Sequence, residues 1–474
     1  MSSDPGAVLA AREARYLKQA SLAASAGGTV VTINLNLPGG NDRYAWSALA
    51  LDEAITEASR AAAARGWRFN EVERETDAAG PYVLGTVTVP VARVKQAMVL
   101  LEEGHPRGRL WDIDVLDRDG RPVSRAETGQ GPRQCYVCNA PAHECRVLKR
   151  HSLDQTGFAA ETLYLGPVAG EVLVGATTGM SLEAATWPSP GLVSPYDTGA
   201  HSDMNYFTFL LSTSSIAHGL RRMVEFGRDF ALGRGDDAGL PGLFRRARAA
   251  GVHVEGAMLA ATSGVNTHRG AIFALGMASV AAMVVWGRTA LTGSAARPSR
   301  AEISSVLAGM TRGLVAAELE VLHRSDDSGL TRGQRLYLET GCTGIRGEVE
   351  RGLPTVMAAG LPAFEHALER AGLGAALVHS LISIMSVADD SALAGRHSVE
   401  VLREFVQPSA RDALAAGSVF TEAGRKKIRS MQEVFAGRHM NPGGSGDLLA
   451  TTVAMYCWEH GSFTAEQVLK ATSW

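Results

Sequence analysis

Residues 108–121 read GRLWDIDVLDRDGR, and the period of two within LWDIDVL sends Trp111, Ile113 and Val115 to one face of a strand and Asp112 and Asp114 to the other. The apolar trio suits a core, whereas the two carboxylates become neighbours on one surface. Like charges so placed need either open water or a cation between them, and a divalent ion carrying nucleotide phosphates is the usual cation. Spacing alone leaves both readings open. Asp112, Asp114, Asp117 and Asp119 do not make an EF-hand, because the one, three, five spacing with glycine at six is missing.

Outward from this strand the first part of the chain is mixed. TVVTINLNL (29–37) alternates as a half-buried strand, an alanine-rich helix is predicted from about Trp46 to Gly66, and WRFNEVE and YVLGTVTV read as strands before the helical VARVKQAMVLLEEG. After Cys145 apolar residues recur at three and four spacing, and from about Gly170 almost every segment is helical, including AEISSVLAGMTRGLVAAELEVL (301–322). The fold class expected is multidomain: an N-terminal α+β domain, 1–160, followed by an all-α domain, 161–474, with the boundary between His151 and Gly166.

Composition narrows the function classes. The 474 residues carry 46 basic and 49 acidic side chains, a net charge of -3, which offers no bulk electrostatic case for nucleic acid or an anionic membrane. The charged start MSSDPGAVLAAREARYLKQA lacks the apolar core of a signal peptide. AIFALGMASVAAMVVW (271–286), at 16 residues, is short of the roughly 20 that span a bilayer, so a buried helix is expected. Five cysteines, an odd count, fit reduced thiols and a cytoplasmic home. Three of them form Cys135-x2-Cys138-x6-Cys145-x5-His151, a spacing that offers a structural zinc its four ligands, against the alternative of small buried thiols beside a surface histidine. Lys149 and Arg150 next to it are candidates for a coenzyme diphosphate or an acidic carrier protein.

The flanks of the opening strand add His105, Arg109 and Arg125, cations suited to phosphate oxygens. On INLNLPGG, EEGHPRGRLWDIDVLDRDGRPVSR and CYVCNAPAHECRVLKRHSLDQ, residues 20–155 resemble the holo-citrate lyase synthase family, the phosphoribosyl-dephospho-CoA transferases. The resemblance implies a nucleotidyltransferase-like domain in which a serine of apo acyl carrier protein attacks 2'-(5''-triphosphoribosyl)-3'-dephospho-CoA and pyrophosphate leaves. It implies Mg²⁺ on Asp112 and Asp114, with Arg109 and Arg125 on phosphates.

The helical half is interrupted by polar motifs. In SGVNTHRGA, Asn266 or Thr267 can cap the following helix, so that free N–H groups and Arg269 face one anion-sized spot beside His268. GAHSDM offers His201 and Asp203, GIRGE offers Arg346 and Glu348 from a glycine-flanked turn, and NPGGSGDLLA closes a glycine-rich turn with Asp447. Taken singly each is a helix cap. Together they resemble the triphosphoribosyl-dephospho-CoA synthase family over about residues 168–460, which implies that ATP and 3'-dephospho-CoA are joined with loss of adenine. By position, triphosphate and Mg²⁺ fall to Asp203, Arg269, Glu348 and Asp447, and leaving-group or hydroxyl chemistry to His268 or His201. Ser189, Ser194, Asn205 and Ala392 depart from the family's Lys, Asp, Asp and Asn. Two alternatives follow: the same chemistry on another carrier, such as that of malonate decarboxylase, or a helical half that only binds nucleotide or acts as a scaffold.

Overall fold

The computed structural model describes residues 5–25, 27–234, 238–319 and 330–469. Two compact units form, one from residues 1–168 with 287–296 and one from 169–286 with 297–474. The division falls inside a continuous helix, α5, described below.

The first unit contains α1 (Pro5–Ser25), β1 (Thr29–Leu35), α2 (Ser47–Ala63), β2 (Phe69–Asp77), β3 (Gly80–Val87), α3 (Val91–Gly104), β4 (Trp111–Leu116), α4 (Ala142–Val147) and the start of α5 (Leu153–Ala185). Its four strands make an antiparallel sheet in the order β2-β3-β1-β4. The alternation of the sequence is realised: Val31, Ile33, Trp111, Ile113 and Val115 are buried on one face, with α2 against β1 and α3 against β4. The other face pairs Asn34 with Asp112 and Thr32 with Asp114 across the β1–β4 register.

Helix α1 lies on that second face, seated by Ala23 against Val30 and Leu116. Gln19 donates to Thr32 Oγ1 at 2.9 Å, and Arg15 donates to Asn34 Oδ1 and lies over the Tyr82 ring at 3.9 Å. The carboxylate face is therefore partly roofed. β4 is an edge strand whose outer backbone groups need partners. Helix α3 supplies them, since buried Glu102 accepts from Ile113 N–H (2.9 Å) and buried Lys95 donates to Ile113 C=O (3.2 Å).

The second unit is helical among the described residues. After α5 come α6 (Tyr206–Ala231), α7 (Gly239–Ala261), α8 (Arg269–Leu291), α9 (Arg300–Thr311), α10 (Leu314–Glu318), α11 (Arg332–Thr340), α12 (Gly344–Glu350), α13 (Leu361–Met385), α14 (Ser391–Ala394), α15 (Gln407–Ala415), α16 (Glu422–Gly437), α17 (Gly443–His460) and α18 (Ala465–Leu469). The apolar run at 271–286 is the buried body of α8; the helix is long and apolar enough to span a bilayer, and its most apolar window is 89% buried in the fold.

Three sequence expectations change. The helix expected over 301–322 breaks at Gly313, whose left-handed φ of 80° ends α9 and starts α10, and 320–322 lie outside the described residues. GIRGE is not a turn but the first part of α12, and the glycines of NPGGSGD form the first turn of α17, which puts Asp447 one turn inside the helix.

Candidate functional sites

In the first unit the charge of the Asp112–Asp114 pair is met by an arginine from outside the strand. Arg133 donates to Asp112 Oδ1 at 2.9 Å and to Glu102 Oε1 at 2.7 Å, while Arg125 bonds Glu102 at 3.2 Å and Glu103 at 3.1 Å. Asp114 remains more buried beneath α1, and burial first, then the Asp112 charge, pushes its pKa up to about 6. Glu102 is also pushed up by burial, opposed by Arg133 and Arg125. The result is an alternating lattice of three carboxylates and two guanidiniums.

This lattice borders a cavity of about 450 Å³ lined by Arg109, Arg125, Arg133, Glu102 and the 131–141 loop. Arg109 is held there by the Gln134 carbonyl at 2.9 Å. Of the predicted residues, Arg109 and Arg125 thus share one cavity, to which Asp112 is joined through Arg133. His105 does not reach it: the ring stacks on Trp111 with centroids 4.4 Å apart, and its Nδ1 accepts from Arg107 N–H. Lys149 and Arg150 are outside the lining as well, on the exposed turn after α4, where Arg150 lies 3.8 Å from Glu144. Sequence reading missed Glu102, Arg133 and Lys95. The available signal was Glu102–Glu103 at the C-terminal end of α3, where the helix dipole disfavours acidic residues.

The Cys135, Cys138, Cys145 and His151 cluster is assembled, with the four ligand atoms all within 4.8 Å of one another.

In the second unit a cavity of about 550 Å³ collects Arg269, Arg346, Glu348 and Asp447, four of the residues expected to act together, with Asn266 at its rim. Asn266 accepts from the Arg269 N–H at 3.2 Å, at the start of α8. Arg346 donates to Glu318 at 2.9 Å and Arg248 pairs with the same carboxylate, so two guanidiniums meet one carboxylate at this part of the wall. Arg269 pairs with Glu255 at 2.5 Å.

Two expectations are corrected here. Asp203 is 63% exposed, lies off the cavity lining and stands 3.6 Å from His201 Nδ1. Glu348 is buried and both its oxygens are engaged by Thr355, one by the hydroxyl at 2.6 Å and one by the N–H at 3.2 Å, because its carboxylate caps the chain as it re-enters helix after Gly352. Asp447 is buried and accepts from the Ala271 N–H at the start of α8, and burial followed by the neighbouring Glu183 and Asp390 charges raises its pKa well above the usual carboxylate range.

A smaller recess of about 40 Å³ shares Asn266, Thr267, Asn441, Gly443 and Asp447 with this cavity and reaches His201, His268 and Glu183. Thr267 donates to Ser212 Oγ at 2.7 Å, and that oxygen shares a hydrogen bond of 2.7 Å with His268 Nδ1. His268 Nε2 lies 4.0 Å from Glu183 Oε2, and neither atom has a hydrogen-bond partner. Burial lowers the His268 pKa to about 4 and raises that of Glu183 to about 8, so at neutral pH these are an imidazole and a carboxylic acid rather than an ion pair. On that ground His268 is not a charged proton donor in this recess; burial favours the protonated form of two carboxyls there, Asp447 and Glu183, the latter a residue the sequence reading missed. His201, also lowered by burial, is likewise disposed to be neutral.

Of the departures from the family pattern, Asn205 and Ser194 hold backbone, whereas Ala392 lines the 550 Å³ cavity and Ser189 Oγ has no hydrogen-bond partner. Asn205 caps α6 by accepting from Thr208 N–H in a reciprocal capping box, Ser194 Oγ accepts from the Tyr196 and Asp197 N–H groups, Ser189 is fully buried and Ala392 lies in α14 behind the Asp390 cap.

Comparison with known proteins assigns both units. Residues 174–463 match the family CitG, ATP:dephospho-CoA triphosphoribosyl transferase, and residues 5–165 match CitX, apo-citrate lyase phosphoribosyl-dephospho-CoA transferase. The chain is 31% identical to Protein CitXG of Haemophilus influenzae over 94% of both chains, and 31% identical to Protein CitXG of Leuconostoc mesenteroides subsp. cremoris over 79% of this chain and 80% of that one. It is 35% identical to the 2-(5''-triphosphoribosyl)-3'-dephosphocoenzyme-A synthase of Klebsiella pneumoniae over 60% of this chain and 90% of that one. A likeness sustained across both units shows that this chain is a transferase of the CitXG family, with a CitX region followed by a CitG region.

Proposed function

We propose that the chain makes and attaches the citrate lyase prosthetic group in two steps. The helical unit joins the ribose C1 of ATP to the 2'-hydroxyl of 3'-dephospho-CoA and expels adenine. The first unit, a nucleotidyltransferase-like domain, then transfers the phosphoribosyl-dephospho-CoA to a serine of apo acyl carrier protein and releases pyrophosphate. The observation that carries this reading is the presence on one chain of two matched regions, 5–165 and 174–463, whose family reactions are consecutive.

The residues suit these roles. In the 550 Å³ cavity, Arg346, Arg248 and Arg269 offer guanidinium groups for the triphosphate. Breaking the C1–N9 bond leaves an electron pair on adenine that needs a proton, and the coenzyme hydroxyl must lose one as its oxygen bonds to C1. Glu183 holds a proton at neutral pH in the adjoining recess, with neutral His268 beside it. In the first unit, Asp112 and Asp114 are hard oxygen donors side by side, and the cost of ionising Asp114 without a cation supports a fit to Mg²⁺. Bound there, Mg²⁺ would supply charge neutralisation for the departing pyrophosphate, while Arg109 and Arg125 orient the phosphates.

Incubation with ATP, Mg²⁺ and dephospho-CoA is expected to release adenine, followed by chromatography; its absence with folded protein would remove the first step. Addition of apo carrier protein from citrate lyase and, separately, from malonate decarboxylase identifies the acceptor by mass increase.

A further inference from the structure

We propose that Cys135, Cys138, Cys145 and His151 hold one structural zinc ion, and that this ion fixes the loop forming one wall of the first unit's arginine-lined cavity. The inference does not depend on which donor or carrier that cavity serves.

Tetrahedral zinc with Zn–S of about 2.3 Å and Zn–N of about 2.0 Å places three sulfurs and a nitrogen roughly 3.5–3.8 Å apart. Here Cys138 Sγ lies 3.4 Å from Cys145 Sγ and 3.2 Å from His151 Nε2, and all four ligand atoms fall within 4.8 Å of one another. A disulfide would account for two of these residues and leave the other thiol and the imidazole converging on it for no reason. The backbone is shaped for thiolates too. Val137 N–H points at Cys135 Sγ (3.4 Å), Ala140 N–H donates to Cys138, and the turn is closed by Asn139 at φ 59° and by Cys135 N–H on the Ala140 carbonyl at 2.7 Å. N–H groups directed at sulfur stabilise the ionised ligand form. Cys145 arrives from α4, and His151 follows the tight turn at Lys149, φ 46°.

The same turn builds the cavity wall. Arg109 bonds the Gln134 carbonyl at 2.9 Å and reaches Asn139 Oδ1 at 3.5 Å, and Arg133, which bridges Asp112 and Glu102, is two residues before Cys135. Ala142 N–H donates to the Arg133 carbonyl at 2.8 Å, tying both ends of the loop together. Four ligands around one ion hold this loop where a short segment with little apolar burial would otherwise open.

The test uses the full-length chain purified under reducing conditions. Elemental analysis is expected to find about one zinc per chain, and replacement by cobalt to give the strong visible absorption of tetrahedral thiolate ligation. Cys138→Ser and Cys145→Ser are each expected to retain below about a tenth of that metal, while Cys342→Ala, a buried cysteine outside the cluster, retains it all. Should a variant fail to fold, the wild-type metal content still decides. Folded wild-type protein with no zinc and no cobalt spectrum, or with a Cys138–Cys145 disulfide by mass spectrometry, would overturn the site. Hydrogen exchange reads the second claim: chelation is expected to raise exchange across 131–141 and leave α17 unchanged, and unaltered exchange in the loop would show that the ion does not fix the wall.

Discussion

The carboxylates of the two units are kept in opposite ways. On β4, Asp112 and Asp114 are half-buried, and Arg133 bridges Asp112 to Glu102 from the cavity side. Around α17, Glu183, Asp390 and Asp447 are enclosed, and burial raises all three pKa values. In the first arrangement a guanidinium already meets part of the charge; in the second, burial without a cationic partner favours the protonated forms. This difference suits a phosphoryl acceptor step on one side and a glycosyl step, with protons to move, on the other.

The contrast can be broken most sharply at β4. Asp112→Asn or Asp114→Asn is expected to slow mass addition to the carrier protein by about two to three orders of magnitude with the circular dichroism spectrum unchanged. At limiting Mg²⁺, wild-type transfer is expected to rise with pH through about 6 as Asp114 ionises, with the midpoint moving down as Mg²⁺ is raised; a midpoint that does not respond to Mg²⁺ would separate Asp114 from the metal.

Glu183 gives the next largest effect, on stability. Its pKa goes from an ordinary 4.5 to about 8 on folding, so its contribution is whole below about 4.5 and is lost as pH rises toward 8. Between pH 5 and 8 the wild type should lose roughly 2 to 4 kcal/mol from this group. Glu183→Gln, which cannot ionise, should lose correspondingly less, measured by urea midpoints. Equal pH slopes in the two proteins would mean that Glu183 is not held protonated.

Smaller changes sharpen the picture. Arg346→Ala is expected to raise the KM for ATP about tenfold while leaving carrier modification from supplied donor intact. An equal fall in both activities would place Arg346 in the fold rather than at the triphosphate. Asn205→Ala should cost about 1 kcal/mol through the lost α6 cap, whereas Asn205→Asp, which restores the family's residue, should keep the cap. If the aspartate variant also raises adenine release, the cap position reaches the chemistry.

How much of this was legible in the sequence depends on whether a signal was local. The alternation in LWDIDVL placed all its side chains correctly, because a period of two is decided within the strand. The Cys/His spacing likewise brought its four atoms together. Arg133 and Glu183 were not legible, since their importance arises from neighbours far along the chain: Arg133 meets Asp112 across 21 residues, and Glu183 meets His268 through helix packing. Glu348 and Asp203 misled for the converse reason. An acid beside a cavity looks the same in sequence whether its oxygens are free or, like those of Glu348, already accept from Thr355.

The clamp that Lys95 and Glu102 place on Ile113 also bears on self-association. A small sheet with two open margins invites a second copy to extend it. On the β4 side Ile113 is satisfied from α3 and Val115 C=O accepts from Val123 N–H at 2.8 Å, so that margin is already occupied by the chain itself. On the β2 side the strand reads FNEVERETD and carries a bulge between Glu71 and Glu73, which makes it charged and irregular. Removing the α3 clamp would thus expose a pairing edge as well as disturb a carboxylate, and clumping of such variants on concentration would report lost shielding rather than lost chemistry.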